Sequence, residues 1–261
     1  MSDALSRNDS QGSSLAELRL LHLADSAFPI GSLAHSFGLE SLVDMGHLDV
    51  AALPGFLSGY LEEAGVLEAS FLRAAFALGA SARDHDIARG RPHVFSKEWV
   101  PDWLNLCDRL SALKPARESR AGSAALGENF LNTILATEDL PAVRAAFVAA
   151  RELRDNRRTL VHHSLAFGLV AGALGLDEER AVLAFLHQTL ASLVSACQRL
   201  LPLGQTAATR ILWDLKPAVI DAAARSVGAN KQNVADVSCF MPLLDWGAME
   251  HPSLTTRLFI S

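Results

Sequence analysis

The sequence predicts an all-α fold, a single-domain bundle of about ten helices with a C-terminal docking tail. Three observations carry this. Apolar residues recur at three- and four-residue spacings along nearly the whole chain, as one face of a 3.6-residue turn requires. Nowhere does a two-residue alternation stand between hairpin dipeptides, and no repeat of fixed period appears.

Ser14 and Glu17 have capping-box spacing ahead of the stripe Leu15, Leu18 and Leu21, so a first helix is expected from Leu15 to about Ala24. Residues 1–14, MSDALSRNDSQGSS, then read as a disordered N-terminal tail. After a turn at Pro29 and Gly31, a second helix carries Leu33, Phe37 and Val43 on one face and stops at Gly46. Pro54 suits the first turn of a third helix, and residues 67–82 supply a fourth. The charged run ARDHDIARGRPH closes that fourth helix. Residues 102–113, 116–136, 141–153 and 162–174 give four more. Asp177 opens the longest helix, about 25 residues and ~37 Å, which is expected to be the central one. Pro202-Leu203-Gly204 breaks it, and Gln205 to Arg225 forms a last helix kinked at Pro217. The bundle is thus assigned to residues 15–226 and a partner-binding C-terminal tail to 227–261.

Half of the 261 residues are apolar and a fifth are charged, which suits a globular chain with a sizeable core. Net charge is 23 − 29 = −6, so no basic excess draws the chain to nucleic acid or anionic lipid. Cys107, Cys197 and Cys239 stand far apart, which fits a reducing cytoplasm and no disulfide framework. The apolar run 181–197 is shorter than a membrane span and carries His187 and Gln188, so it reads as a buried helix. The polar start lacks the apolar stretch of a signal peptide.

Phosphate-loop, HExxH, GxSxG and EF-hand signatures are absent from the sequence, which points away from the common enzyme classes. Asp84-His85-Asp86 and His162-His163 invite a metal reading, but neighbours on a helix point apart, so solvated or packed side chains are expected. No cofactor is implied, and with Cys and His scattered the isolated chain is expected to hold no stoichiometric metal. Arg151, Arg154, Arg157 and Arg158 form a basic patch that reads as a solvated face or as a meeting point for an acidic partner. PLGQTAATR at 202–210 is either a plain helix break or a corner that presents Gln205 and Arg210. From the residues alone neither is chosen. The tail PLLDWGAMEHPSLTTRLFIS holds too many apolar groups to stay in water, so its own bundle or another chain must cover it.

Three segments, AFPIGSLAHSFGLESLVDMG, HHSLAFGLVAGALGLDEERAVLAFLHQTLASLVSACQRLLPLGQT and that tail, together resemble the urease accessory protein UreF family. The resemblance implies an all-α, non-enzymatic dimer that binds UreD (also called UreH) and recruits the nickel-carrying GTPase UreG, so that apo-urease is matured. Carried over by motif, Pro29, Gly31, Ser36, Gly38 and Glu40 match the first signature. Pro202, Leu203, Gly204 and Gln205 match the second, and Asp245, His251, Arg257, Leu258 and Phe259 the third. Phe28, Leu33 and Ile260 depart from the pattern. The resemblance places the Pro29 turn, Ser36 and Glu40 at a surface or channel entrance used in assembly. The density of apolar groups after the polar SVGANKQN leads to the further expectation that the segment beyond Asn230 docks on the UreD-type partner, mobile in the free protein and ordered in the complex. Two alternatives remain: activation of the GTPase by an arginine in trans, from Arg154, Arg158 or Arg210, and an all-α enzyme with convergent polar groups in a pocket.

Overall fold

Glycines let the two central helices of the molecule touch backbone to backbone, amid a core of large apolar side chains. The computed structural model describes residues 2–89, 99–152, 159–227 and 237–261, in which the helices are mainly α with short 3-10 and π turns and no strand is present. At the centre α4 (Val66–Arg89) lies against α8 (His163–Ala173). Every residue from His163 to Gly172 is buried. A Cβ on Gly168 would collide with the Leu72 carbonyl oxygen, one on Gly172 with that of Phe76, and one on Gly79 with that of Leu169. Backbone therefore touches backbone, and the numbers rise together along both helices, so α4 and α8 run parallel. The ladder 72/168 and 76/172 continues one turn back to a polar rung, where Ser164 donates to Glu68.

Around this pair stand α5 (Val100–Ala112), α6 (Arg117–Thr137), α7 (Pro141–Arg151) and α9 (Glu178–Leu200). Trp103, fully buried, ties α5 to α7 by donating from its indole to the Ala146 carbonyl at 3.1 Å. Asp177 caps α9, its carboxylate accepting the Arg180 N–H at 2.8 Å. α10 (Gln205–Asp214) and α11 (Lys216–Arg225) close the bundle, and buried Arg73 of α4 joins α9 to α11. Its guanidinium reaches Ser226 at 2.9 Å, the Ala223 carbonyl at 3.1 Å, Glu178 at 2.9 Å and Glu179. α1 (Ser2–Leu23), α2 (Leu39–Asp44), α3 (Leu53–Tyr60) and α12 (Pro242–Glu250) complete the twelve α-helices of the described residues. The rod Leu53–Asp84 and helix α9 are long and apolar enough to cross a membrane, and 72% and 56% of their most apolar windows are buried inside the protein.

Several expectations are corrected here. The first helix begins at Ser2 rather than Leu15, so the segment 1–14 expected as a frayed tail is helical from Ser2. Ser14 is then interior and closes no capping box with Glu17, which instead pairs with Arg180 at 2.6 Å. The second helix is only Leu39–Asp44, because Gly31, Phe37 and Gly38 all take positive φ (83, 52 and 96°) and interrupt any longer one. α3 and α4 join through a π-turn at Leu61–Gly65, and the fourth helix continues past Ala82 to Arg89. The last helix breaks at Leu215 instead of bending at Pro217. That proline sits in the first turn of α11, where its missing N–H has no partner to lose. The central helix is α8 and not α9, since the glycine contacts exclude solvent from all its sides.

Because the Gly168 and Gly172 positions have no room, Gly172→Ala should destabilise the fold by about 1–3 kcal/mol or more, despite alanine's better helix propensity. Chemical denaturation checks this, with Gly59→Ala, where nothing lies within 4 Å of an added Cβ, as the control expected to lose little.

Candidate functional site

The turn after α1 is built so that two apolar residues enter the core with a proline between them. Phe28 and Ile30 are buried while Pro29 is exposed. Phe28 packs on the Phe130 ring at 5.4 Å, and Asn129 of α6 donates to the Ile30 carbonyl at 3.0 Å. Gly31 turns the chain into a single 3-10 turn, Ser32–Ala34. Phe37 holds φ 52°, a conformation costing a non-glycine residue about 1–2 kcal/mol, and the chain terminal to the fold keeps it there. Ser36 and Phe37 both donate their N–H groups to the Ser261 carbonyl oxygen, at 2.5 and 3.1 Å, and the Ser36 hydroxyl donates to it at 3.2 Å. His35 Nδ1 meets Ser261 Oγ at 2.7 Å.

Glu40, 5% exposed, is the centre of this contact. One carboxylate oxygen accepts the Leu258 N–H at 2.6 Å. The other accepts the Phe259 N–H at 3.2 Å and faces His251 Nε2 at 2.9 Å. Gly38, in the left-handed region, lets α12 lie directly on α2: a Cβ there would stand 2.6 Å from the Ala248 nitrogen, and one on Gly247 2.7 Å from the Gly38 oxygen. The tail is therefore not a free arm. Phe259, Ser261 and His251 are buried with the core, so the described part of the segment beyond Asn230, residues 237–261, is packed on the fold in this structure. The physical reason is a carboxylate and three donors that satisfy one another inside the fold.

The sequence-predicted residues thus divide. Ser36, Gly38, Glu40, His251, Leu258 and Phe259 come together, although they lie some two hundred residues apart in the chain. Leu258 itself turns outward and is 58% exposed, so it and Phe259 have opposite roles. Arg257 is exposed in solvent. Pro202 and Gly204 form the exposed break between α9 and α10, with Leu203 buried beneath it. Gln205 accepts from Gln198 across that break, and Arg210 is exposed with a loose 4.0 Å pair to Asp214. Of the arginines considered for the GTPase, Arg154 and Arg158 lie outside the described residues, as does Arg157. The side chains of His85 and Asp86 also lie outside them. Among the described residues no group of three or more His, Cys, Asp or Glu side chains could hold a metal ion.

Asp245 belongs to a second feature that the sequence reading missed, a cavity of about 110 Å³ whose walls include Tyr60, Glu68, Lys114, His163, Gln188 and Cys239. Burial pushes the Asp245 carboxyl up, partly offset by Lys114. Glu68 is tied by Lys114 and Ser164; burial raises its carboxyl, but the Lys114 charge and the two hydrogen bonds outweigh that and hold it below the usual range. Its signal was a lone carboxylate in the apolar run LEASFLRAAFALGA. His162 and His163 are both buried, rather than one of the two. His162 Nε2 faces Ser111 Oγ at 2.8 Å while its Nδ1 and His163 Nε2 have no hydrogen-bond partner among the described residues.

The family model for UreF matches residues 48–216. Over 246 residues the chain is 30% identical to the urease accessory protein UreF of Corynebacterium glutamicum (strain R), covering 94% of this chain and 98% of that protein. It is 31% identical over 253 residues to UreF of Bradyrhizobium sp. (strain ORS 278), covering 96% and 94%. For UreF of Actinobacillus pleuropneumoniae serotype 3 (strain JL03) the values are 30% over 254 residues, 93% and 97%. The chain belongs to the UreF family. It is a urease accessory protein by that membership, and the relatives' names describe an accessory role and no catalysis.

Burial pushes His162 down to about 3, with Lys114 adding to it and Glu68 opposing, and His163 down to about 4 against the pull of Glu68. Between those values and the ordinary ~6.5 the unfolded chain binds more protons, so the stabilisation is complete above about pH 6.5 and falls with acid. The depressed Glu68 carboxyl acts in the same direction lower down. Lowering pH from 6.5 to 5 should therefore remove about 3 kcal/mol through the two histidines, read as a falling urea midpoint. A flat midpoint over that range contradicts buried neutral histidines.

Proposed function

We propose that this protein is a non-enzymatic adapter in urease maturation: it docks on a UreD (UreH) partner through its clasped C-terminal segment and offers the α9–α10 corner to the GTPase UreG. In this reading it works in the cytoplasm as a homodimer, and nickel bound for apo-urease is cargo of the assembly. The observation that carries the reading is the sidedness of the tail. Glu40 holds the backbone of Leu258 and Phe259 so that Phe259 points in, while Leu258 and Ile260 stand 58% and 68% exposed. Trp246 and Met249 on α12 add exposed apolar surface. Apolar groups so presented, on a segment fixed by buried bonds, suit a preformed docking surface. For self-association, α10 and α11 offer Trp213 and Ile220, both exposed, with the Lys216 ammonium 3.6 Å over the indole.

The test separates the outward from the inward residues. Leu258→Ala with Ile260→Ala should weaken copurified UreD binding by about tenfold or more while melting stays as in the wild type. Phe259→Ala should instead lower stability, because it empties a buried ring site. UreD titration of the outward double variant at wild-type affinity removes the proposed surface.

One observation favours keeping the arginine reading as a second possibility. Arg210 is 75% exposed at its side chain and holds only a loose partner. An arginine acting in trans is worth about 10³–10⁵ in turnover, so Arg210→Ala should cut GTP hydrolysis in the assembled complex on that scale if it acts so. The adapter reading expects a change of at most a few-fold, measured as phosphate release.

A further inference from the structure

Arg199, in the last turn of α9, has no part in the reading above, yet it grips the tail from the side opposite Glu40. Its Nη1 donates to the Leu33 carbonyl at 2.8 Å, and its Nη2 lies 3.5 Å from the Leu258 carbonyl oxygen. The guanidinium carbon sits 4.2 Å from the centroid of the Phe259 ring. Leu258 is thereby held at both ends of its backbone by opposite charges: Glu40 takes its N–H and Arg199 its C=O. Next to it, Ile260 donates to the Ala34 carbonyl at 2.8 Å, so the tail end and the turn Ser32–Ala34 lie side by side. Successive tail residues then alternate. Phe259 and Ser261 face in, and Leu258 and Ile260 face out beside Leu33, which is 46% exposed.

We propose that Arg199 is the positioning residue of the docking surface, the group that locks Leu33, Leu258 and Ile260 into one preformed apolar row; this rests on the docking reading above. The chemistry favours arginine over lysine. A planar fork can serve two carbonyl oxygens while its flat face lies on an aromatic ring, whereas an ammonium is a point charge that can do one or the other. The site is also the C-terminal turn of a long helix, where a cation is favoured and the base is rigid. Arg199 is itself exposed, so water competes for its bonds and the fold does not depend on them. Its effect is local: it sets how often the tail opens.

Hydrogen exchange of the free protein, followed by mass spectrometry, reads that opening without any partner. Arg199→Ala should raise exchange in the peptide covering residues 254–261 by about tenfold, with α4 and α8 peptides unchanged, and Arg199→Lys should not restore protection. The same variant should weaken UreD binding several-fold, whereas Leu258→Ala should weaken it with tail protection intact. Wild-type exchange of the tail in Arg199→Ala overturns the proposal whatever the partner does, and full rescue by lysine overturns the fork geometry. If Arg199→Ala frees the tail but UreD affinity holds, the residue positions no docking surface. Leu258→Ala then tells the two failures apart: unchanged affinity there means the surface itself was misassigned.

Discussion

The backbone contact between α4 and α8 fixes the rest of the bundle. Helices separated by ordinary side chains stand 8–10 Å apart and can slide by fractions of a turn at modest cost. Gly79, Gly168 and Gly172 remove that freedom, because carbonyls of each helix occupy the space where the other's Cβ atoms would be. Register becomes discrete. Once Leu72 is set against Gly168 and Phe76 against Gly172, the preceding rung must place Glu68 against Ser164. The Glu68 carboxylate is thus delivered to a hydroxyl and to Lys114 by the same four-residue spacing that packs the glycines.

A buried carboxylate is costly unless its lone pairs are filled, and the molecule solves this twice in different ways. Glu68 is met by a cation and a hydroxyl within the helical core. Glu40 is met by two main-chain N–H groups and a histidine, all from the last eleven residues. The first arrangement holds helices together and presents nothing outward. The second makes the C-terminal segment a condition for burying residue 40, so tail and turn must form together, and Gly38 with Gly247 supplies the clearance that lets them touch.

How far the sequence could be read follows from these contacts. Helical spacing marked nearly every element, and the capping Asp177 with the Pro202 to Gly204 break bounded α9 correctly, since such signals are local. Beyond the displaced helix ends, the errors that matter for the core and the candidate site are non-local. Gly168 and Gly172 stand four apart in plain view, but a glycine pair says nothing about which helix fills the gap, so α9 was taken for the centre. Glu17 was assigned to a cap when its partner is Arg180, 163 positions away. At the candidate site, Ser36, Glu40, His251 and Phe259 were all singled out. Their mutual contact was not, because no periodicity links residues at opposite ends of a chain. Arg199 carried no signal beyond being a basic residue in a last helical turn.

That blind spot changes the meaning of the tail. Read alone, a run of apolar groups after a polar stretch suggests an arm that orders on binding, and such an arm loses conformational freedom at the moment of contact. Clasped by Glu40, the same run has already lost it during folding, and association then costs less ordering for the same buried area. The alternation that results is also selective in a way a loose arm is not. Phe259 belongs to the core, so on the proposed docking reading a partner meets a row whose spacing is set by the backbone of residues 258–260 and by the turn at Leu33. In this chain the link between the two segments is therefore a geometry: the Pro29 turn leads to Glu40, Glu40 holds the tail, and Leu258 and Ile260 stand outward.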